Sequence, residues 1–210
     1  AAVTIVSIFL GIYAIRHLPF IDFRAYRIGN NIPQQMIPEE QPRFEYVFLE
    51  KSTGKEITSD KYMNDTTAYK YVRVRQTNEE KTRPKILDYA VSTVDGDDIT
   101  QETFQGAKLI FVIADVDKAS VDNIAEIRDL IRRLDGKIDM MIMTASSGEK
   151  FEHFRHEHQL ALPYYFVDAT VLKTMLRSNP GMTLWVDGTV RGMWHHNDTP
   201  DAEEVLSLAK

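Results

Sequence analysis

Five of the six histidines fall in two short stretches: His153, His156 and His158 in EHFRHEHQ, and the pair His195 and His196 near the C-terminus. His153 and His156 are three residues apart, so on a helix they share a face. With Glu152 or Glu157 they could supply part of a zinc site, which takes three or four histidine, cysteine or carboxylate ligands. His158 would point elsewhere, no H-E-x-x-H spacing occurs, and a solvated polar face with Phe151 and Phe154 turned inward is the simpler reading. A second group, Asp115, Asp117 and Lys118, follows a strand-like run, where open α/β sheets place their sites. An acidic pair could work there with Asp168 and Asp187, yet acidic residues are ordinary helix-start material and no base–nucleophile pair accompanies them.

Other chemistries are excluded outright. The chain has no cysteine, so disulfides, thiolate nucleophiles and cysteine-ligated metals are ruled out. A net charge of -6 argues against nucleic acid as a partner, since such partners require a basic patch. No G-x-G-x-x-G or phosphate-loop pattern occurs, and no cofactor is expected. Gly106, Gly136, Gly148 and Gly188 read as turn residues, and Trp185 and Trp194 as packing residues of a terminal hairpin.

The elements that would position these groups begin at residue 44. Residues 44–49 (FEYVFL) and 68–75 (AYKYVRVR) read as strands separated by the turn at 52–55. From residue 85 strands and helices alternate. Residues 86–94 predict a strand, followed by a D-G-D-D turn. Residues 108–114 (KLIFVIA) form a near-continuous apolar run, as a central strand buried on both faces requires. Ser120 can cap a helix carrying Ile124, Ile127, Leu130, Ile131 and Leu134 at helical spacing. Residues 138–144 predict a strand, 149–159 a helix, 164–167 a strand and 170–177 a helix. Pro180 precedes a strand at 182–186, the turn Asp187-Gly188 leads into a hairpin partner at 189–194, and a helix closes the chain at 201–209. Parallel pairs ending in an antiparallel hairpin imply an α/β mixed sheet flanked by helices.

The N-terminus is of another kind. Residues 1–15 carry no charge, and a full membrane span needs ~20 apolar residues. With neither a basic stretch before the run nor a cleavage site after it, the run predicts the end of a transmembrane helix that starts upstream rather than a signal peptide. Arg16, His17, Arg24 and Arg27 follow, which places the downstream chain on the cytoplasmic side. Tyr13, Phe20, Phe23 and Tyr26 suit the interfacial belt. Three parts are expected: 1–27 as helix end and juxtamembrane segment, 28–83 as linker and small β-rich segment, and 84–210 as the α/β domain.

The element order, with a proline directly before the penultimate strand, resembles the thioredoxin superfamily, in particular its peroxiredoxin-like and thiol-reductase-like branch. The stretch ILDYAVSTVDGDDITQETFQGAKLIFVIA at 86–114 resembles that branch's opening. The resemblance implies that Pro180 in SNPGMTLWVDG is the cis-proline facing the redox motif, and that Asp117 and Ser120 stand where the two cysteines would, as caps of the long helix. It further implies an interaction face around Asp117, Lys118, Ser120, Pro180 and Trp194, open to a protein partner. The apolar run leading into RHLPFIDFRAYRIGNNIP is similar to the last membrane helix and exit of DoxX-type membrane proteins. Some bacterial members carry a thioredoxin-like extension with a stretch like RSNPGMTLWVDGTVRGMWHHND.

The expected function is therefore that of a cysteine-free, redox-inactive thioredoxin-like domain of a DoxX-like membrane protein in the bacterial inner membrane, serving interaction or structural support. Two alternatives stand beside it: an accessory domain of a membrane oxidoreductase whose chemistry lies upstream, and a metal- or carboxylate-dependent enzyme.

Overall fold

The computed structural model describes residues 2–210. The apolar N-terminal run contains no proline and propagates as one helix, α1, over Ala2–Arg16. Among the described residues no helix is long and apolar enough to cross a membrane. The chain divides into two units, Ala1–Gln35 with Ile86–Lys210, and Met36–Lys85. Residues 28–35 thus belong to the larger unit rather than to a linker. The Gly29 and Ile32 amides donate to the carbonyls of Val190 and Gly188, both at 2.8 Å, and Ile32 at the head of the short helix α2 (Ile32–Gln35) is fully buried.

The smaller unit is an antiparallel sheet of β1 (Phe44–Glu50), β2 (Glu56–Ser59) and β3 (Tyr69–Gln76), in the order β2-β1-β3. Val47 and Phe48 of the central strand are buried, whereas most of β3 is exposed. The four residues of β2 (EITS) are too short to carry a period, which is why the sequence reading passes over them.

The larger unit is built on β4 (Ala107–Ile113), β5 (Asp139–Thr144), β6 (Tyr164–Phe166), β7 (Gly181–Val186) and β8 (Thr189–His195), in the order β6-β5-β4-β7-β8. The pairs β4–β5 and β5–β6 are parallel; β4–β7 and β7–β8 are antiparallel. On one face Leu109, Phe111 and Ile113 join Ile142, Met182 and Leu184. Helices α3 (Ile124–Leu134), α4 (Gly148–Glu157) and α6 (Ala202–Leu208) bury Ile127, Leu130, Leu134, Phe151, Phe154 and Val205 in the same cluster. The other face carries Trp185, against which Tyr89 and Phe104 pack at 5.6 and 6.2 Å between ring centres. Helix α5 (Ala169–Met175) packs on β5. At about 25 cal/mol per Å² of apolar surface, the residues of β4 and β7 buried on both faces stabilise the core.

Residues 86–94 do not form the expected strand. Only Ser92 bridges, to Phe166 and to Asp98. Ile86, Tyr89 and Val91 are buried while Leu87 is 67% exposed, so the segment does not keep the period of two of a strand and lies as an extended cover over the Trp185 face.

Candidate functional site

The polar residues gather where β4 ends. Asp115 is extended (φ -150°), and its carboxylate accepts from the Asp117 amide at 3.1 Å and from Lys118 Nζ at 2.8 Å, closing a 3-10 turn over Val116–Lys118. The Val116 amide donates to Ser146 Oγ at 3.0 Å, fixing the turn to the loop after β5. The Lys118 hydrogen bond holds the Asp115 carboxyl below its usual range. Asp117 is exposed and pairs with Lys150, whose ammonium is raised by that bond.

Asp117 and Ser120 do not cap the long helix. That helix starts at Ile124 with Asn123 before it, because the first inward-facing residues are Ile124 and Ile127 and residues 119–123 form an intervening turn. Asp115 caps the 3-10 turn instead. Ser120 Oγ accepts only from the Asp122 amide, at 3.4 Å, while its own amide donates to the carbonyl of Asn179 at 2.8 Å. The partial positive charge of a helix N-terminus is therefore not focused on these two positions.

The loop before β7 meets that turn. The Asn179–Pro180 bond is cis, and Pro180 is buried. Asn179 Nδ2 donates to the Asp115 carbonyl at 2.6 Å. Ser178 Oγ donates to the Pro180 carbonyl and accepts from the His196 amide at 3.0 Å. Gly181 leaves no room for a side chain, since a Cβ would lie 2.2 Å from Leu176 Cδ2. Trp194 is only 9% exposed and its indole N–H donates to Glu204 Oε1 at 3.0 Å, so it belongs to the core and not to an interaction face. Of the residues expected on that face, Asp117 and Lys118 are exposed, Ser120 is half-buried, and Pro180 and Trp194 are buried.

Sequence reasoning did not bring His195 and His196 to this end. The register places His195 opposite Gly181, itself opposite Val112 near the end of β4. His195 is 5% exposed; its Nδ1 accepts from the Asn197 amide at 3.2 Å, and the two histidine rings are 4.2 Å apart. Burial first, then the neighbouring His196, push the His195 pKa down to about 4; burial also lowers His196. Asn123 Nδ2 donates to the His196 carbonyl and to Asn197 Oδ1. The end of α1 reaches the same place: His17 Nδ1 lies 2.7 Å from Asp198 Oδ1, and Asn197 Nδ2 donates to the Arg16 carbonyl at 2.9 Å. The even spacing of residues along β8 is the signal that could have found this cluster, once its pairing with β7 was fixed.

The other candidates lie apart. Asp168 accepts from the Thr170 and Val171 amides as the cap of α5. Asp187, at the β7–β8 turn, bonds the Gly106 amide at 2.9 Å at the opposite end of β4, and so cannot act with Asp115. His153 and His156 are exposed and pair with Glu157 and Glu152 of their own helix. Among the described residues no group of three or more His, Cys, Asp or Glu could hold a metal ion. No side-chain hydrogen bond joins a serine hydroxyl to a histidine ring at this end among the described residues; Ser120, Ser146 and Ser178 bond backbone groups. A cleft of about 340 Å³ opens beside Asp115, lined by Lys118, Lys173, Leu176 and Arg177.

No family model and no curated protein matches the chain. Among solved structures it is similar to the C-terminal domain of a protein assigned as a thiol-disulfide oxidoreductase from Bacteroides thetaiotaomicron, at 13% identity and TM-score 0.46, covering 58% of this chain and 91% of that one. StoA from Bacillus subtilis gives 11% identity and TM-score 0.42, over 58% and 95% of the two chains. A secreted Mycobacterium tuberculosis disulfide oxidoreductase homologous to E. coli DsbE gives 11% and 0.41, over 58% and 94%. Strand order β6-β5-β4-β7-β8 with helices on both faces is what defines the architecture here. The larger unit has a mixed α/β fold, a five-stranded sheet with helices packed on it.

Proposed function

We propose that this chain is the thiol-free thioredoxin-like part of a DoxX-like membrane protein, attached through α1 and serving interaction or structural support on the cytoplasmic side. The observation that supports it most is the closure of the sheet end beyond β4. The Asn179 carbonyl, the group an extended ligand would pair with, already accepts from Ser120, and Asn197 and Asp198 tie the same end to Arg16 and His17 of the apolar helix. A surface whose Asp115 and Asn179 carbonyls are already paired, and whose serine hydroxyls bond backbone groups, suits a structural joint better than a catalytic cleft.

The juxtamembrane residues divide in a way that fits this reading. Phe20, Ile21 and Phe23 are 77%, 70% and 87% exposed, as residues meant for an apolar phase would be in water. Tyr26 leaves the interfacial belt, for it is buried against Tyr89.

Two experiments test the proposal. In insulin reduction by dithiothreitol, the chain is expected to give no acceleration over reductant alone; acceleration would contradict redox inactivity. The coding sequence upstream of Ala1 is expected to contain further apolar spans, four in all for the DoxX reading, and a soluble domain there would overturn the membrane assignment.

A further inference from the structure

Three cations surround the cleft beside Asp115. Lys118 stands on the 3-10 turn; Lys173 and Arg177 come from the last turn of α5 and the residues just after it. Among the residues lining the cleft the carboxylate is Asp115, bridged to Lys118, so the lining itself is net positive. Asp22 beside Arg177 and Asp168 beside Lys173 lie just outside it, in a chain whose net charge is -6. The floor is apolar, formed by buried Ala114 and Leu176. A volume of about 340 Å³ lies within the range of small-ligand clefts.

The same turn of α5 holds the juxtamembrane loop. Arg24 donates to the carbonyl of Met175 at 3.2 Å while its guanidinium clasps Asp22. Burial alone would raise the Asp22 carboxyl, yet the Arg24 hydrogen bonds, with the charges of Arg24 and Arg177, bring it below its usual value, which puts Arg177 beside the loop as well. Next to Asp22 and Arg24 in the chain are Phe20, Ile21 and Phe23, the exposed apolar side chains. A cationic cleft adjoining solvent-facing aromatics is the pattern of a surface that meets headgroups with its charges and the acyl boundary with its rings.

We propose that the cleft of Lys118, Lys173 and Arg177 seats the phosphate headgroup of an anionic phospholipid, holding the end of the sheet beyond β4 against the bilayer; this rests on the membrane reading above. The guanidinium offers a fork and the two ammonium groups point charges to the phosphodiester oxygens. The neighbouring apolar loop favours a lipid over a soluble acidic partner, because such a partner would leave Phe20 and Phe23 in water.

The test is co-sedimentation of the full chain with vesicles of phosphatidylcholine alone and of phosphatidylcholine mixed with phosphatidylglycerol. The chain is expected to bind the mixed vesicles more tightly. Lys118→Gln, Lys173→Gln and Arg177→Gln together should lower that affinity by about a hundredfold, or about fivefold per charge, and leave binding to phosphatidylcholine unchanged. Lys137→Gln with Lys210→Gln, at the opposite end of the sheet, should keep the preference and shows that loss of charge alone is not the cause. Equal binding of the unsubstituted chain to both vesicles overturns the headgroup site while leaving membrane attachment standing. Retention of the preference in the triple variant, or its displacement by inorganic phosphate alone through saturable binding to the cleft, also overturns it. Failure to bind either vesicle removes the membrane reading and this site with it.

Discussion

At the starting end of β4, the contacts hold one turn: Asp187 bonds the Gly106 amide, and Asn31 and Ile32 of the N-terminal segment bond the Asp187 and Gly188 carbonyls, while Lys108 pairs with Asp139. At the finishing end, four segments distant in sequence converge: the 3-10 turn at 116–118, the loop before β7, the residues after β8 and the end of α1. This end also holds a buried histidine, a serine bonded on both sides and the cationic cleft. The contrast separates two uses of one location. An α/β sheet offers the C-terminal ends of its strands to ligands, and here many of those groups are spent on one another. Asn179 Oδ1 and His196 Nδ1 are buried without a partner, and clefts open beside Lys118 and beside Asp117.

Substitutions that break the closed end should cost far more than those at its rim. The largest loss is expected for Trp194→Ala, about 3–5 kcal/mol by denaturant unfolding, since it removes a large ring from the core. A loss below about 1 kcal/mol would show that the hairpin end is loosely packed.

Acid should act next. The His195 pKa is depressed to about 4 in the folded protein against about 6.5 unfolded. The neutral ring therefore contributes stability fully above pH ~6.5, and the contribution falls away as pH drops through the window down to about 4, by up to about 3 kcal/mol. His196 is shifted the same way and adds with the same sign. Unfolding of the protein and of His195→Gln, compared across this range, should show a shallower slope in the variant; parallel slopes would mean that His195 is solvated.

Ser178→Ala follows, at about 1–3 kcal/mol, because it leaves the His196 amide without its acceptor in a part-buried place. Least of all, Lys150→Gln should change stability by no more than about 0.5 kcal/mol, since its partner Asp117 is exposed. An effect above 1 kcal/mol would show that the rim is part of the closed structure.

The sequence revealed the sheet where strand chemistry is emphatic. KLIFVIA is β4 because only a strand covered on both faces tolerates such a run, and the Asp187-Gly188 turn marks the β7–β8 hairpin, with φ of +47° and +71°. It misled at 86–94, where β-branched residues and tyrosine serve a cover rather than a strand. It also placed the helix start at Ser120 from side-chain type alone, although the amphipathic face begins at Ile124. The site was less legible still. Lys118, Lys173 and Arg177 become neighbours only through the crossover that carries α5 beside the turn after β4, and no local spacing encodes that meeting. His195 reads as a pair with His196, whereas its burial and low pKa come from strand register and from the packing of β8.

The central claim is that the sheet end beyond β4 is sealed by its own backbone. Amide hydrogen exchange at Ser120 tests it most directly, because that N–H donates to the Asn179 carbonyl. Protection comparable to that of the β4 amides is the predicted result. Exchange at the rate of an exposed loop would contradict it, leaving the Asn179 carbonyl open to a ligand and the end of the sheet an available groove.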